Sequence, residues 1–143
     1  MSEMLANQYF IARKFKEAVR ELEAVLQDNP DNQYIIKKLI ICYTQVGRIN
    51  ESLDLFYRVI QDDPFLIIDT DVYGEDCPCP DIVEKMKKER VANTDSVNFH
   101  NIMGVLYLYC DIEESIRYFK ESVRIEPNQL LINSIIKILH KIR

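Results

Sequence analysis

The sequence is poor in the residues that make turns and in those that make most active sites. Its 143 residues include three glycines, five prolines and two histidines. So few turn formers limit tight reversals and favour long helices. There is no glycine-rich phosphate loop and no Ser/His/Asp set in suitable surroundings, so no enzyme is expected. No apolar run approaches the roughly 20 residues that span a bilayer, so no membrane role is expected. The opening "MSEMLANQYF" lacks the basic and apolar regions of a signal peptide, which points to a cytoplasmic protein. Positive charge is in deficit as well. The formal net charge of −5 disfavours a binder of phosphate backbones, and no nucleic-acid partner is expected.

What is present is a helical rhythm. Hydrophobic residues make up 48% and charged residues 29%, ordinary for a folded domain and too apolar for disorder. From Leu5 to Leu26 apolar residues recur at three- and four-residue spacing, with a break of phase near Lys14 that predicts two helices and a very short turn. Pro30 closes this unit in "LQDNPDNQ". The rhythm returns in "YIIKKLIICYTQVGRINESLDLFYRVIQDDP", where Gly47 supplies the helix-ending turn, and again in "FHNIMGVLYLYCDIEESIRYFKESVRIEP". Cys42 and Cys110 lie among apolar neighbours and read as reduced core residues.

The closing prolines expose a repeat. Pro30 and Pro64 are 34 residues apart, and the same spacing pairs Leu5 with Leu39, Tyr9 with Tyr43 and Val25 with Val59. A helix–turn–helix period of this length resembles the tetratricopeptide repeat family. The residues that carry the resemblance are Leu5, Ala6, Tyr9, Ala18, Leu22, Val25 and Pro30 in the first unit. In the second they are Ile36, Leu39, Tyr43, Gly47, Ser52, Phe56, Val59 and Pro64. In the third they are Gly104, Ser115, Phe119, Val123 and Pro127. Small Ala18, Ser52 and Ser115 would let paired helices approach. The first repeat departs from the family at Arg13, where glycine is usual. The third is one residue short between Gly104 and Cys110, unless Met103 takes the small-residue place without a gap.

The resemblance implies an all-α, right-handed α-solenoid: a single domain over residues 1–143 with repeats at about 1–30, 31–64 and 97–127. Residues 65–95 would be an irregular insertion, and 128–142 a capping helix. The cap has a wide apolar face of Leu131, Ile132, Ile135, Ile138, Leu139 and Ile142. In this family the first helices line a concave groove that holds a peptide or helix of a partner. Mapped onto this chain, the groove would comprise Asn7, Phe10 and Ile11, then Tyr34, Lys37, Ile41, Thr44 and Gln45, then Asn101, Val105 and Leu108. Packing between repeats is the other role open to Phe10, Ile11 and Ile41. Members that grip acidic chaperone tails use a clamp of Lys, Asn and Arg. Asn7 fits one clamp place, but Glu3 and Ile102 stand where Lys and Arg would be needed, so that ligand is not expected.

The stretch "DTDVYGEDCPCPD", Asp69 to Asp81, stands apart. It opens like a calcium loop, but Tyr73 and Pro80 occupy ligand places. Cys77 and Cys79 offer two thiolates, yet no second Cys or His pair follows at zinc-finger spacing, and His100 and Cys110 would join them only through the fold. A Cys77–Cys79 disulfide would close a strained ring, and the acidic neighbours Glu75, Asp76 and Asp81 do not activate a thiolate. No metal and no cofactor is therefore assigned. The expected role of the chain is a protein-interaction module, a scaffold or adaptor. The alternatives are a structural subunit that forms a homodimer through its C-terminal helix, and a thiol- or metal-dependent activity at Cys77 and Cys79.

Overall fold

The computed structural model describes residues 2–90 and 96–143, and these contain helices and no strands. Seven helices are long: α1 Ser2–Ile11, α2 Phe15–Asp28, α3 Gln33–Gln45, α4 Ile49–Asp62, α7 Ser96–Tyr107, α8 Ile112–Ile125 and α9 Leu130–Ile142. Two are short, α5 Phe65–Ile68 and α6 Glu84–Glu89, and a π-helical turn at Cys79–Val83 precedes α6. The chain divides into two compact units, Met1–Phe56 and Tyr57–Arg143, with the boundary inside α4.

In the first unit α1 and α2 form a hairpin, and α3 packs on α2. The α1–α2 turn is made by Arg13, whose φ of 59° lies in the left-handed region. Its geometry returns the Lys14 N–H to the Tyr9 carbonyl at 2.9 Å and the Arg13 N–H to Phe10 at 2.9 Å, which satisfies the exposed end of α1. The residue 34 positions on is Gly47, with φ 82°, and there the Arg48 N–H returns to Tyr43 at 2.9 Å. The two turns are the same motif. Arg13 adopts a conformation that costs a side-chain-bearing residue about 1–2 kcal/mol, whereas glycine enters it freely. Between the repeats Asn32 caps α3 by accepting the Ile35 N–H, while its amide donates to Glu3 at 3.3 Å. The N-terminal ends of α1 and α3 therefore lie together.

Small residues hold each hairpin. Ala6 and Ala18 are fully buried in the first. In the second, the buried Ser52 hydroxyl donates to the Ile40 carbonyl at 2.8 Å. In the third, the Ser115 hydroxyl donates to the Gly104 carbonyl at 2.6 Å. A Cβ built on Gly104 would lie 2.7 Å from the Phe119 ring, so only glycine allows this approach of α7 to α8. Ser115 follows Ser52 by 63 positions, but Gly104 follows Ile40 by 64. One residue is thus missing from the α7–α8 turn, and Gly104, not Met103, takes the small-residue place. The shortening is visible in the backbone. Leu108, Tyr109 and Cys110 each bond three residues back, at 3.3, 3.2 and 2.9 Å, with no left-handed residue among them.

The second unit also holds most of the segment expected to be an irregular insertion. It is anchored by apolar groups: Ile67, Cys77, Ile82 and Val83 are buried, and the π-helical turn packs on α7. Pro80 has no N–H to give, and the Val83 N–H reaches back five residues to Pro78 at 2.9 Å. The helix expected after Pro80 begins as this wider turn and continues as α6 to Glu89. Its expected Val91–Asn93 end, like the last five residues of the 65–95 insertion, lies outside the described residues. Lys87 and Arg90 pin the segment across the Tyr107 and Phe99 rings, at 5.4 and 4.3 Å from their centroids. A hydrogen bond to Tyr107 also raises the Lys87 pKa. Finally α9 caps α8 through Ile132, Ile135 and Leu139.

Candidate functional site

The expected groove residues fall on one side of each first helix, but burial separates them. On α1, Phe10 is fully buried while Ile11 is 51% exposed and Asn7 is partly buried. On α3, Tyr34 is 70% exposed and Gln45 partly buried, whereas Lys37, Ile41 and Thr44 are buried. On α7, Asn101 and Val105 are buried, and so is Leu108 in the turn that follows. The reason lies in composition. Both α3 and α7 are apolar almost all round, and a helix of that kind is covered on most of its circumference. Phe10, Lys37, Ile41, Thr44, Asn101, Val105 and Leu108 are therefore covered in the folded chain.

Several polar groups on these helices are engaged in structure. Thr44 donates to the Ile41 carbonyl of its own helix at 2.6 Å and accepts from Gln45 at 3.0 Å. The Asn101 amide donates to Gln129 at 2.9 Å, and Gln129 in turn donates to the Ser122 carbonyl and hydroxyl and to Glu126. This network ties α7 to the α8–α9 junction. Among the described residues, Oδ1 of Asn7 and Oδ1 of Asn101 are buried without a hydrogen-bond partner. A buried acceptor in that state costs about 1–3 kcal/mol.

A separate polar network joins α2, α3 and α4 within the first unit. The Tyr43 hydroxyl donates to Glu23 at 2.6 Å, and Arg48 bridges Glu23 and Glu51 at 2.9 and 2.6 Å. Arg48 also stacks on the Tyr43 ring, 4.6 Å from its centroid. Burial, with the Glu23 hydrogen bond, raises the Tyr43 pKa. A shallow depression lies along this side, lined by Arg20, Glu23, Leu26, Pro30 and Tyr43. None of the expected groove residues lines it.

The cysteines differ from expectation. Cys42 is buried and outside any disulfide, and burial pushes its thiol up to about 12, so it is inert. Cys110, expected to be a reduced core residue, is joined in a disulfide to Cys79. Cys77 is buried beside them, and the three sulfurs lie within 4.8 Å of one another. His100 is elsewhere, its ring against Phe99 and Tyr118 at 5.5 and 5.6 Å. Spacing along the chain gave no signal for this cluster, because Cys110 arrives only through the packing of the π-helical turn on α7.

No described helix is long and apolar enough to cross a membrane. No curated protein and no solved structure matches the chain. A family profile described as tetratricopeptide repeat matches residues 9–67. That span runs from the last turn of α1 through both left-handed turns and α4 to α5. Such repeats generally mediate protein–protein contacts and are typically non-enzymatic. The 34-residue spacing, the paired turns at Arg13 and Gly47 and the matched profile agree, and residues 9–67 are similar to the tetratricopeptide repeat family.

Proposed function

We propose that the chain is a non-enzymatic cytoplasmic interaction module, whose residues 1–143 act as one domain. Its ligand is a peptide or helical segment of a partner protein. The observation that carries this reading is on α1. Asn7 holds a buried amide oxygen without a partner, and one helical turn further Ile11 is 51% exposed. An acceptor beside an apolar anchor suits a ligand backbone N–H followed by an apolar side chain. Tyr34, 70% exposed at the start of α3, offers an aromatic contact, and Gln45 a further amide.

Selection from a displayed peptide library against the purified chain, followed by titration of the best peptide, tests the proposal. Replacing Ile11 by Ser together with Tyr34 by Ala should weaken binding at least about tenfold, as loss of an interface anchor does, while helicity is unchanged. Equal affinity for the double variant would overturn the proposal. Self-association through α9 is the second reading. It is favoured by Leu130, 84% exposed at the helix start, and by the partly buried Leu131, Ile138 and Ile142. Light scattering that shows a dimer across concentration, abolished by Leu130→Ser, would support it.

A further inference from the structure

A disulfide needs two cysteines, and a third, Cys77, is buried in contact range of the Cys79–Cys110 pair. Cys77 and Cys79 are held in place by Pro78 between them, by the π-helical turn that starts at Cys79, and by Ile82 and Val83 packed in the core. Cys110 closes the group from the end of α7, in the tightened turn where the third repeat has lost a residue. All three belong to the second compact unit. Sulfurs that share a zinc ion at about 2.3 Å each are roughly 3.8 Å apart, and here the three lie within 4.8 Å of one another. Thiolates in this number select soft, d10 cations, Zn(II) or Cu(I), over hard ones. Glu75, Asp76 and Asp81 flank the pair in the sequence and add negative charge that favours a cation.

We propose that Cys77, Cys79 and Cys110 form a three-thiolate site for one thiophilic d10 metal ion in the reduced chain, and that the Cys79–Cys110 disulfide is the oxidised, metal-free form of that site. The balance is simple. A dithiol reductant supplies two electrons and two protons, closes to its own disulfide, and opens Cys79–Cys110 to two thiols. The metal ion then binds three sulfurs and displaces three protons, one from each. Three-coordinate Cu(I) is complete in this set, whereas Zn(II) takes a fourth donor.

The full-length chain, reduced with a dithiol that is then removed under anaerobic conditions, is titrated with Zn(II) and separately with Cu(I) against a chromophoric chelator. Alkylation followed by mass spectrometry reads which cysteines the metal protects. The expected result is one ion per chain for at least one of the two metals, with Cys77, Cys79 and Cys110 all protected. Cys77→Ser leaves the disulfide pair untouched, so its fold is checked in the oxidised state by circular dichroism. It should lower affinity by more than the roughly 10–100-fold that loss of a supporting partner costs. Cys42→Ala should bind as the parent does. Should Cys77→Ser fail to fold, Cys79→Ser, at the more exposed edge, takes its place. No uptake of either ion overturns the proposal, and so does equal affinity in Cys77→Ser, which would leave Cys77 a packing or thiol-exchange residue.

Discussion

The second and third hairpins solve one packing problem with turns of different length. In both, a buried serine on the second helix donates to a carbonyl of the first, Ser52 to Ile40 and Ser115 to Gly104. In both, a fully buried phenylalanine lies one turn further, Phe56 or Phe119. The second hairpin turns through left-handed Gly47, and the third through a run of bonds reaching three residues back. The lesson is that contact between the helices, not turn length, defines the repeat. The contact survives the loss of a turn residue, with Gly104 allowing α7 to approach the Phe119 ring closely.

Removing the phenylalanines should have the largest effect. Phe56→Ala and Phe119→Ala should each cost about 3–5 kcal/mol in chemical denaturation, a large fraction of the stability of a chain this size. If one costs much and the other nothing, the two positions are not equivalent and the comparison fails. Replacing either serine by alanine should cost less, about 0.5–1.5 kcal/mol, because the carbonyl it serves keeps its place in the helix. Similar losses at Ser52 and Ser115 would sharpen the equivalence, and a loss at one alone would break it.

The smallest effect contrasts the first two turns. Gly47→Ala should destabilise by about 1 kcal/mol, since alanine resists a φ of 82°. Arg13→Gly relieves the same strain but gives up the guanidinium stacked 4.9 Å over Phe10, so its net change should be stabilising and below about 1 kcal/mol. Thermal melts of the two variants check the opposed signs.

Much of this was legible in the order of residues. Pro30 and Pro64 fix the period, and Ala18, Ser52 and Ser115 mark the close approaches. Periodicity names the face on which Lys37, Ile41 and Val105 lie. It does not say how much of a helix is covered, and α3 and α7 carry apolar residues on several sides at once. The open positions therefore shrink to Asn7, Ile11, Tyr34 and Gln45, at helix ends or on α1. The cysteine cluster was illegible for another reason. Cys77 and Cys79 are neighbours in sequence, but Cys110 is 31 residues beyond Cys79 and joins them only in the fold.

The repeat register in the third hairpin rests on Gly104 facing Phe119, and a double-mutant cycle measures that contact directly. Gly104→Ala alone should cost about 1–3 kcal/mol, as a methyl forced into a filled space does. In the Phe119→Leu background the ring is gone and the space opens. The pair should be less destabilised than the sum of the two singles by about 0.5 kcal/mol or more. Strict additivity, with Met103→Ala coupled to Phe119→Leu instead, would contradict it.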